Sequence, residues 1–259
     1  MQKLIITTFV LTGLVFTLIS SSCGTSKKAS EIDMSESFKL HPSAYQTDFT
    51  AYDSDSTWKL SIRFGEEIVF TSKSEKINFR GKASPEIVAQ GSNIVKVGAQ
   101  NETHSLVITI DVAKCNKNGF VTDVQVQDLK TSTKIDFNGC GEYNGSPQLY
   151  DIWVLTDIND TEMQPELFRK QQPFMEINLK EKTIAGFGGC NDFNGEISFT
   201  YKKMSFGPIA ATKIYCAEES KIEKDFFHIL NAEPVIYLKK ENRLILENSK
   251  GTLIFKKVD

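Results

Sequence analysis

The sequence predicts a mainly β protein with one helix, an α+β fold in two domains. Two observations predict this class. Apolar and polar residues alternate in many short runs separated by turn residues, which is typical of antiparallel strands. Only residues 218–231 have the spacing of an amphipathic helix, with Ile222, Phe226, Ile229 and Leu230 on one face. A length of 259 residues suits one or two domains.

The N-terminus has the pattern of a processing signal. Residues 4–19 are apolar, and small residues precede Cys23. The pattern resembles the lipobox of bacterial lipoproteins, although Ser20 stands where that motif usually has Leu. We therefore predict a lipoprotein signal peptide over 1–22, and a palmitate-bearing Cys23 that begins a flexible tether over 23–45. Secretory cleavage without lipid and an uncleaved anchor helix stay open as alternatives.

Residues 46–145 have the pattern of a first, strand-rich domain. Trp58, Leu60, Ile62 and Phe64 alternate with polar residues, and a turn then leads to Ile68 and Phe70. The same alternation returns in Leu106, Ile108, Ile110 and Val112, and in Val124 and Val126. No helical pattern interrupts these runs, so we expect an antiparallel sheet, either a sandwich or a barrel. A Pro-containing turn at 144–147 separates this domain from a second one over 150–259.

Five cysteines leave four to pair if Cys23 carries lipid. The sequence alone does not determine which of the four are joined. We favour Cys115 with Cys140 and Cys190 with Cys216, because each pair then lies within one predicted domain. Each bond would close a loop of about 25 residues and would persist in an oxidising compartment. The long spacings and the lack of a nearby histidine argue against a metal site.

The second domain is organised around a glycine-rich turn that leads into Cys190. Gly189 supplies backbone freedom, and the polar residues Asn191, Asp192 and Asn194 follow. We take these four residues as a candidate binding turn. Clustered oxygen ligands would suit a calcium ion or a polar ligand. Turn chemistry and packing beside a disulfide explain the same residues without a ligand, and a single carboxylate is few for calcium.

These residues also carry a family resemblance. Gly-Cys-Asn-x-Phe-x-Gly, followed by Ile-Ala-x-Thr-x-x-x-Cys and a short helix, resembles the META domain of the HslJ-like family. The resemblance covers about 150–259 and implies a curled antiparallel sheet packed on the helix. It also implies an association with envelope stress and antibiotic tolerance, without a defined mechanism. Residues 46–145 resemble the uncharacterised domain that precedes META domains in envelope lipoproteins, through Trp58, Cys115 and the Gly139 to Gly141 segment.

Several function classes receive no support from the residues. The formal net charge of −3 gives no basic surplus for nucleic acid. Nucleotide loops, metalloprotease motifs and paired Cys-x-x-Cys motifs are missing from the sequence, so we expect no cofactor and no metal. His41, His104 and His228 are scattered and have no nucleophile at a recognisable spacing. We therefore predict no catalytic residues and a protein that is not an enzyme.

The prediction for function is a binding or scaffolding role at the cell envelope, with a lipid anchor in the outer membrane on its periplasmic or surface side. The partner would be an envelope protein or a small hydrophobic ligand. One alternative is an inhibitor of lysozyme or of a protease, acting through the Cys115 to Cys140 unit. Another is a carrier of a hydrophobic ligand, with a cavity behind Trp58 or Trp153.

Overall fold

The computed structural model describes residues 46–88, 94–116, 119–217 and 219–258. The predicted signal peptide, Cys23 and the tether lie outside these residues. Among the helices in the described part, none has the length and apolar character needed to span a membrane. Within these residues, strands dominate and form two antiparallel sheets accompanied by a single α-helix, so the predicted mainly β class is confirmed.

The first sheet has nine strands in the order β4-β3-β2-β1-β9-β8-β7-β6-β5. Their bounds are β1 Phe49–Tyr52, β2 Trp58–Arg63, β3 Glu67–Ser72, β4 Ile77–Lys82, β5 Ile87–Val88, β6 Val95–Gln100, β7 His104–Lys114, β8 Phe120–Asp128 and β9 Lys134–Tyr143. The first and last strands pair with each other, with Phe49 opposite Tyr143. A bridge between Ala83 and Ala99 joins the β4 side to β6. Leaving β5 aside, the other eight strands form a closed up-and-down barrel, the second of the two architectures that the sequence allows.

Inward-facing side chains fill this first barrel. Trp58, Leu60 and Ile62 are buried, as the period of two predicts for a strand with one face inside. The Phe70 ring lies 4.9 Å from that of Phe137 on the opposite wall. One prediction is wrong: Val112 is 48% exposed. The pairing of β7 with β8 shifts register after Ile110, so the inward alternation ends there.

The second sheet begins after a 3-10 turn at Pro147–Leu149. Its strands are β10 Asp151–Ile158, β11 Thr161–Glu162, β12 Phe174–Asn178, β13 Thr183–Phe187, β14 Asp192–Thr200, β15 Lys203–Phe206, β16 Ala210–Ala211, β17 Val235–Lys240, β18 Arg243–Asn248 and β19 Gly251–Lys257. A further 3-10 turn at Pro165–Leu167 lies between β11 and β12. Strand β10 pairs with β19, with Leu155 opposite Phe255, so the predicted curled sheet closes into a ring.

One helix, α1 Glu219–Ala232, packs beside the second ring. It follows β16 and precedes β17, in the region where β15 and β17 pair at only two positions. Phe226 is fully buried, and its ring lies 5.7 Å from Phe193 and 6.2 Å from Phe255. The predicted helix is thus present, although Glu218 lies outside the described residues. Tyr201 and Lys202 form the turn between β14 and β15.

Candidate functional site

The predicted binding turn divides between the interior and the surface of the second barrel. Gly189 and Asn191 are buried, whereas Asp192 and Asn194 are exposed on β14. Gly189 has a φ of +114°, a conformation that favours glycine. The four residues therefore do not face one common space. Asn191 points inward as part of the framework, while Asp192 and Asn194 lie on the outer face.

The Asn191 side chain is fully hydrogen-bonded inside the protein. Its Nδ2 donates to Glu223 Oε1 at 2.7 Å and to the Ile214 carbonyl at 3.1 Å. Its Oδ1 accepts from the Ile214 amide at 2.6 Å and from Thr212 Oγ1 at 2.9 Å. These bonds use both donors and both acceptor positions of an amide. Asn191 therefore joins helix α1 to the chain segment that precedes it.

Glu223 supplies the other half of this connection. Its Oε2 accepts from the Asn191 amide at 2.6 Å and from the Cys190 amide at 3.1 Å. A Cβ atom at Gly188 would lie 2.8 Å from this oxygen, so the carboxylate needs a glycine there to approach the backbone. Glu223 is 9% exposed. A buried carboxylate is stabilised by such amide donors, and here they attach the helix to the glycine turn.

Two disulfides join the cysteines in the pairs that local pairing predicts. Cys115 is bonded to Cys140 with 5.8 Å between Cα atoms, and Cys190 to Cys216 with 5.9 Å. The first bond links the end of β7 to β9 within one barrel wall. The second links the turn before β14 to the segment that enters helix α1. Only the second bond therefore connects the sheet to a segment without regular structure.

A cleft of about 700 Å³ lies where the two barrels meet. This interbarrel cleft is bounded by residues of both sheets and by the segment that connects them. Its lining includes Gln46, Asp48, Arg63, Phe64, Glu66, Glu67, Arg80, Tyr143, Gly145, Ser146, Pro147, Gln148, Thr200, Lys202, Tyr237, Leu238 and Lys239. The size is within the range of small-ligand and peptide sites, and the lining combines aromatic and charged groups.

Aromatic side chains connect the barrels beside the cleft, and Phe64 and Tyr143 belong to its lining. The Phe64 ring stacks on Tyr143 at 6.3 Å and meets Tyr201 of the second barrel edge-on at 5.3 Å. Burial raises the pKa of the Tyr143 and Tyr237 hydroxyls, so both stay protonated at neutral pH. The cleft lining thus includes two neutral tyrosines whose hydroxyls can form hydrogen bonds.

Asp48 is the most perturbed acid in the cleft. Burial raises the pKa of its carboxyl from 3.8 to about 6, while a hydrogen bond from the Phe64 amide acts in the opposite direction. That bond joins Phe64 N to Asp48 Oδ2 at 2.8 Å. Glu66 adds a smaller upward contribution and Arg63 a smaller downward one. Asp48 therefore changes charge close to neutral pH.

The two walls of the cleft differ in charge. On the first barrel, Arg63 Nη1 pairs with Glu66 at 3.1 Å, and Arg80 pairs with Glu67. On the second barrel the charged lining residues are the lysines Lys202 and Lys239. Lys202 reaches across the junction to Glu86, with 3.9 Å between Nζ and Oε2. The first wall therefore carries two arginines against three acids, counting Asp48, whereas the second, basic wall carries only the two lysines.

The tryptophans and histidines that the sequence analysis considered lie in the barrel cores or on the surface. Trp58 and Trp153 are buried at 3% and 0% exposure, and neither lines the interbarrel cleft. The Trp153 indole donates to the Leu149 carbonyl at 2.9 Å. His104 contacts Thr103, and His228 is exposed on helix α1. Across the described residues, no group of three His, Cys, Asp or Glu side chains is placed to hold a metal ion.

The sequence interpretation missed Glu223 and the interbarrel cleft. Glu219 and Glu223 lie in the apolar stripe of helix α1, four residues apart and on the same face as Phe226. Two acids in a buried stripe are a signal that could have indicated internal partners. The sequence contains no comparable signal for the cleft, because the residues that line it come from separate strands of both sheets.

Comparison with known families identifies the family of the second barrel. Residues 147–259 match the family model of the META domain. The C-terminal half is a META domain. No family model covers the N-terminal part, so the resemblance of the first barrel to a META-associated envelope domain stays a prediction. No curated protein matches the chain.

Two solved structures are similar to part of the chain. One, described as the NMR structure of a protein, is 22% identical, with a TM-score of 0.36; the match covers 42% of this chain and 90% of that one. The other, the NMR structure of a protein from Burkholderia xenovorans, is 23% identical, also with a TM-score of 0.36. That match covers 43% of this chain and 85% of the other.

Proposed function

We propose that this is a non-enzymatic binding protein of the cell envelope, anchored through lipid on Cys23. Its site is the interbarrel cleft, which takes a short acidic segment of a partner protein. The observation that carries the proposal is that one cleft combines the lysines of the basic wall with the neutral aromatic rings of Phe64, Tyr143 and Tyr237. Charged groups on one wall select a partner of opposite charge, and the rings supply contact area.

Envelope association is supported by the META match, which suggests an envelope-associated protein of unclear function. Two disulfides suit an oxidising compartment of the kind found outside the cytoplasm. The apolar segment before Cys23 supports export and anchoring. Cys23 and the apolar segment before it lie outside the described residues.

The structure gives less support to the alternative functions than to a binding role. A hydrophobic carrier needs space beside Trp58 or Trp153, but both rings pack against barrel residues. An enzyme is suggested only by Asp48, whose pKa near neutrality would suit a general acid.

The test measures binding of short acidic, neutral and basic peptides to the whole mature chain by calorimetry. Lys202→Glu combined with Lys239→Glu should weaken acidic peptides by about tenfold or more, because both charges on the basic wall reverse. Lys221→Glu with Lys224→Glu, on the exposed face of helix α1, is the matched control. Equal binding by both double variants, or turnover of a peptide that Asp48→Asn abolishes, would contradict the proposal.

A further inference from the structure

The segment Ala210 to Cys216, here called the stapled loop, is exposed yet held at both ends. Its start pairs with β14, with Ala211 opposite Phe193. Its end is fixed by the disulfide to Cys190 and by the bond from the Cys216 amide to Ser220 Oγ at 3.2 Å. Between these ends, Tyr215 is 85% exposed and Ile214 is 52% exposed. Large apolar side chains are thus displayed on a restrained segment.

Asn191 supports this loop from inside, on both sides of Lys213. It accepts from Thr212 Oγ1 before the lysine, and it binds both the amide and the carbonyl of Ile214 after it. The Thr212 amide also donates to the Asp192 carbonyl at 3.0 Å. The residues that flank Lys213 are therefore fixed to the barrel, while the Lys213 side chain is exposed.

The backbone alternates in the manner of an edge strand. The amides of Thr212 and Ile214 face the barrel, so those of Lys213 and Tyr215 face away from it. Within the described part of the chain, the Lys213 amide and carbonyl have no hydrogen-bond partner. An outward-facing row of this kind can pair with an extended segment of another protein.

We propose that the stapled loop is a substrate-like inhibitory loop for a serine protease that cleaves after lysine. Lys213 enters the specificity pocket, whose acidic group matches its charge, and its outward amide and carbonyl pair with the enzyme backbone. Ile214 and Tyr215 contact the far side of the active site. Because the loop is already ordered, binding costs little conformational entropy. Asn191 and the disulfide keep Thr212 and Ile214 together, so the Lys213–Ile214 bond stays intact in the complex.

The experiment titrates the whole mature chain against trypsin and follows hydrolysis of a small chromogenic substrate. We expect inhibition at roughly micromolar protein or below, because a preorganised loop with a buried anchor binds in that range. Lys213→Ala should weaken it by about 100-fold or more, since it removes the anchor side chain. Lys221→Ala, an exposed lysine on helix α1, should leave inhibition unchanged. Lys213→Tyr should transfer inhibition from trypsin to chymotrypsin.

Two results would overturn the proposal. One is trypsin activity that is unaffected by the wild type, or inhibited equally by Lys213→Ala. The other is rapid and complete cleavage after Lys213, seen by mass spectrometry, which would make the loop a substrate. The inference is independent of the interbarrel cleft. Lys213→Ala should bind acidic peptides like the wild type, and the double variant at Lys202 and Lys239 should inhibit trypsin like the wild type.

Discussion

The two barrels share one topology but close it by different means. In each, eight strands form an up-and-down ring whose first and last strands pair, with β5 outside the first ring and β11 and β16 outside the second. Each ring contains one disulfide and one tryptophan. The first ring is filled by side chains of its own strands, such as Phe70 against Phe137. In the second, β15 and β17 pair at only two positions, and the helix that lies between them in the chain packs Phe226 against Phe193 and Phe255.

The difference teaches what an added helix requires. A helix packed on a sheet must be attached to it, and here Glu223 and Asn191 provide the attachment. The same bonds order the chain segment that leads into the helix, which is the stapled loop. The first barrel has no helix in its described residues and needs no equivalent network. Helix attachment and loop presentation are thus parts of one arrangement.

The largest expected effect tests that attachment. Glu223→Ala should lower the free energy of unfolding by about 3 to 5 kcal/mol, because three buried donors lose their acceptor. Asp225→Ala, exposed on the same helix, is the control. Urea unfolding followed in Trp58→Phe and Trp153→Phe backgrounds reports each barrel separately. A loss below about 1 kcal/mol would show that the network is not needed to attach the helix.

Removal of either disulfide should lower the free energy of unfolding by a similar amount, but the two removals should differ in their effect on protease sensitivity. Each bond closes a loop of similar size, with sequence separations of 25 and 26 residues. Replacing either pair by Ala should cost about 3 kcal/mol in chemical unfolding. Loss of the Cys190 to Cys216 bond should also speed proteolysis after Lys213. Equal protease resistance of the two disulfide-free variants would mean that the bond does not restrain the stapled loop.

A pH prediction concerns Asp48, on the first barrel at the cleft. Its pKa is about 6 in the folded protein against 3.8 ordinarily, so the folded state binds the proton more tightly. The resulting stabilisation is complete below about pH 4 and is lost as the pH rises through about 6. Asp48→Asn should therefore be more stable than wild type at pH 7, by about 1 to 2 kcal/mol after allowance for solvent screening. Thermal unfolding across this range checks it, and parallel pH profiles for the two proteins would refute it.

The smallest expected effect concerns an ion pair that joins the barrels. Glu142 of β9 pairs with Lys182 of the META domain, and their side chains are 41% and 30% exposed. A double-mutant cycle with alanine should give a coupling of about 0.2 to 1 kcal/mol, as for other exposed pairs. A larger coupling would indicate that the barrels depend on this contact to unfold as one unit.

Several features were predictable because they depend on neighbours in the chain. Alternation placed Trp58, Leu60 and Ile62 inside a strand-rich domain, and helical spacing placed Phe226 and Leu230 on a buried face. Val112 was misplaced because a shift of strand register depends on the partner strand. The candidate turn was located correctly in the chain. Its division into an inward Asn191 and outward Asp192 and Asn194 depends on the helix and the loop that meet there.

The sequence by itself determined the strands, the helix and the glycine turn, because periodicity and turn residues record which face of a segment is buried and where the segment ends. It favoured the local disulfide pairs without determining them. Only the tertiary structure decided the closure of each ring, the burial of Glu223 and the interbarrel cleft. The closing pairs, Phe49 with Tyr143 and Leu155 with Phe255, join segments far apart in the chain. Alternation indicates that a strand has an inner face, but it carries no information about which distant strand lies beside it.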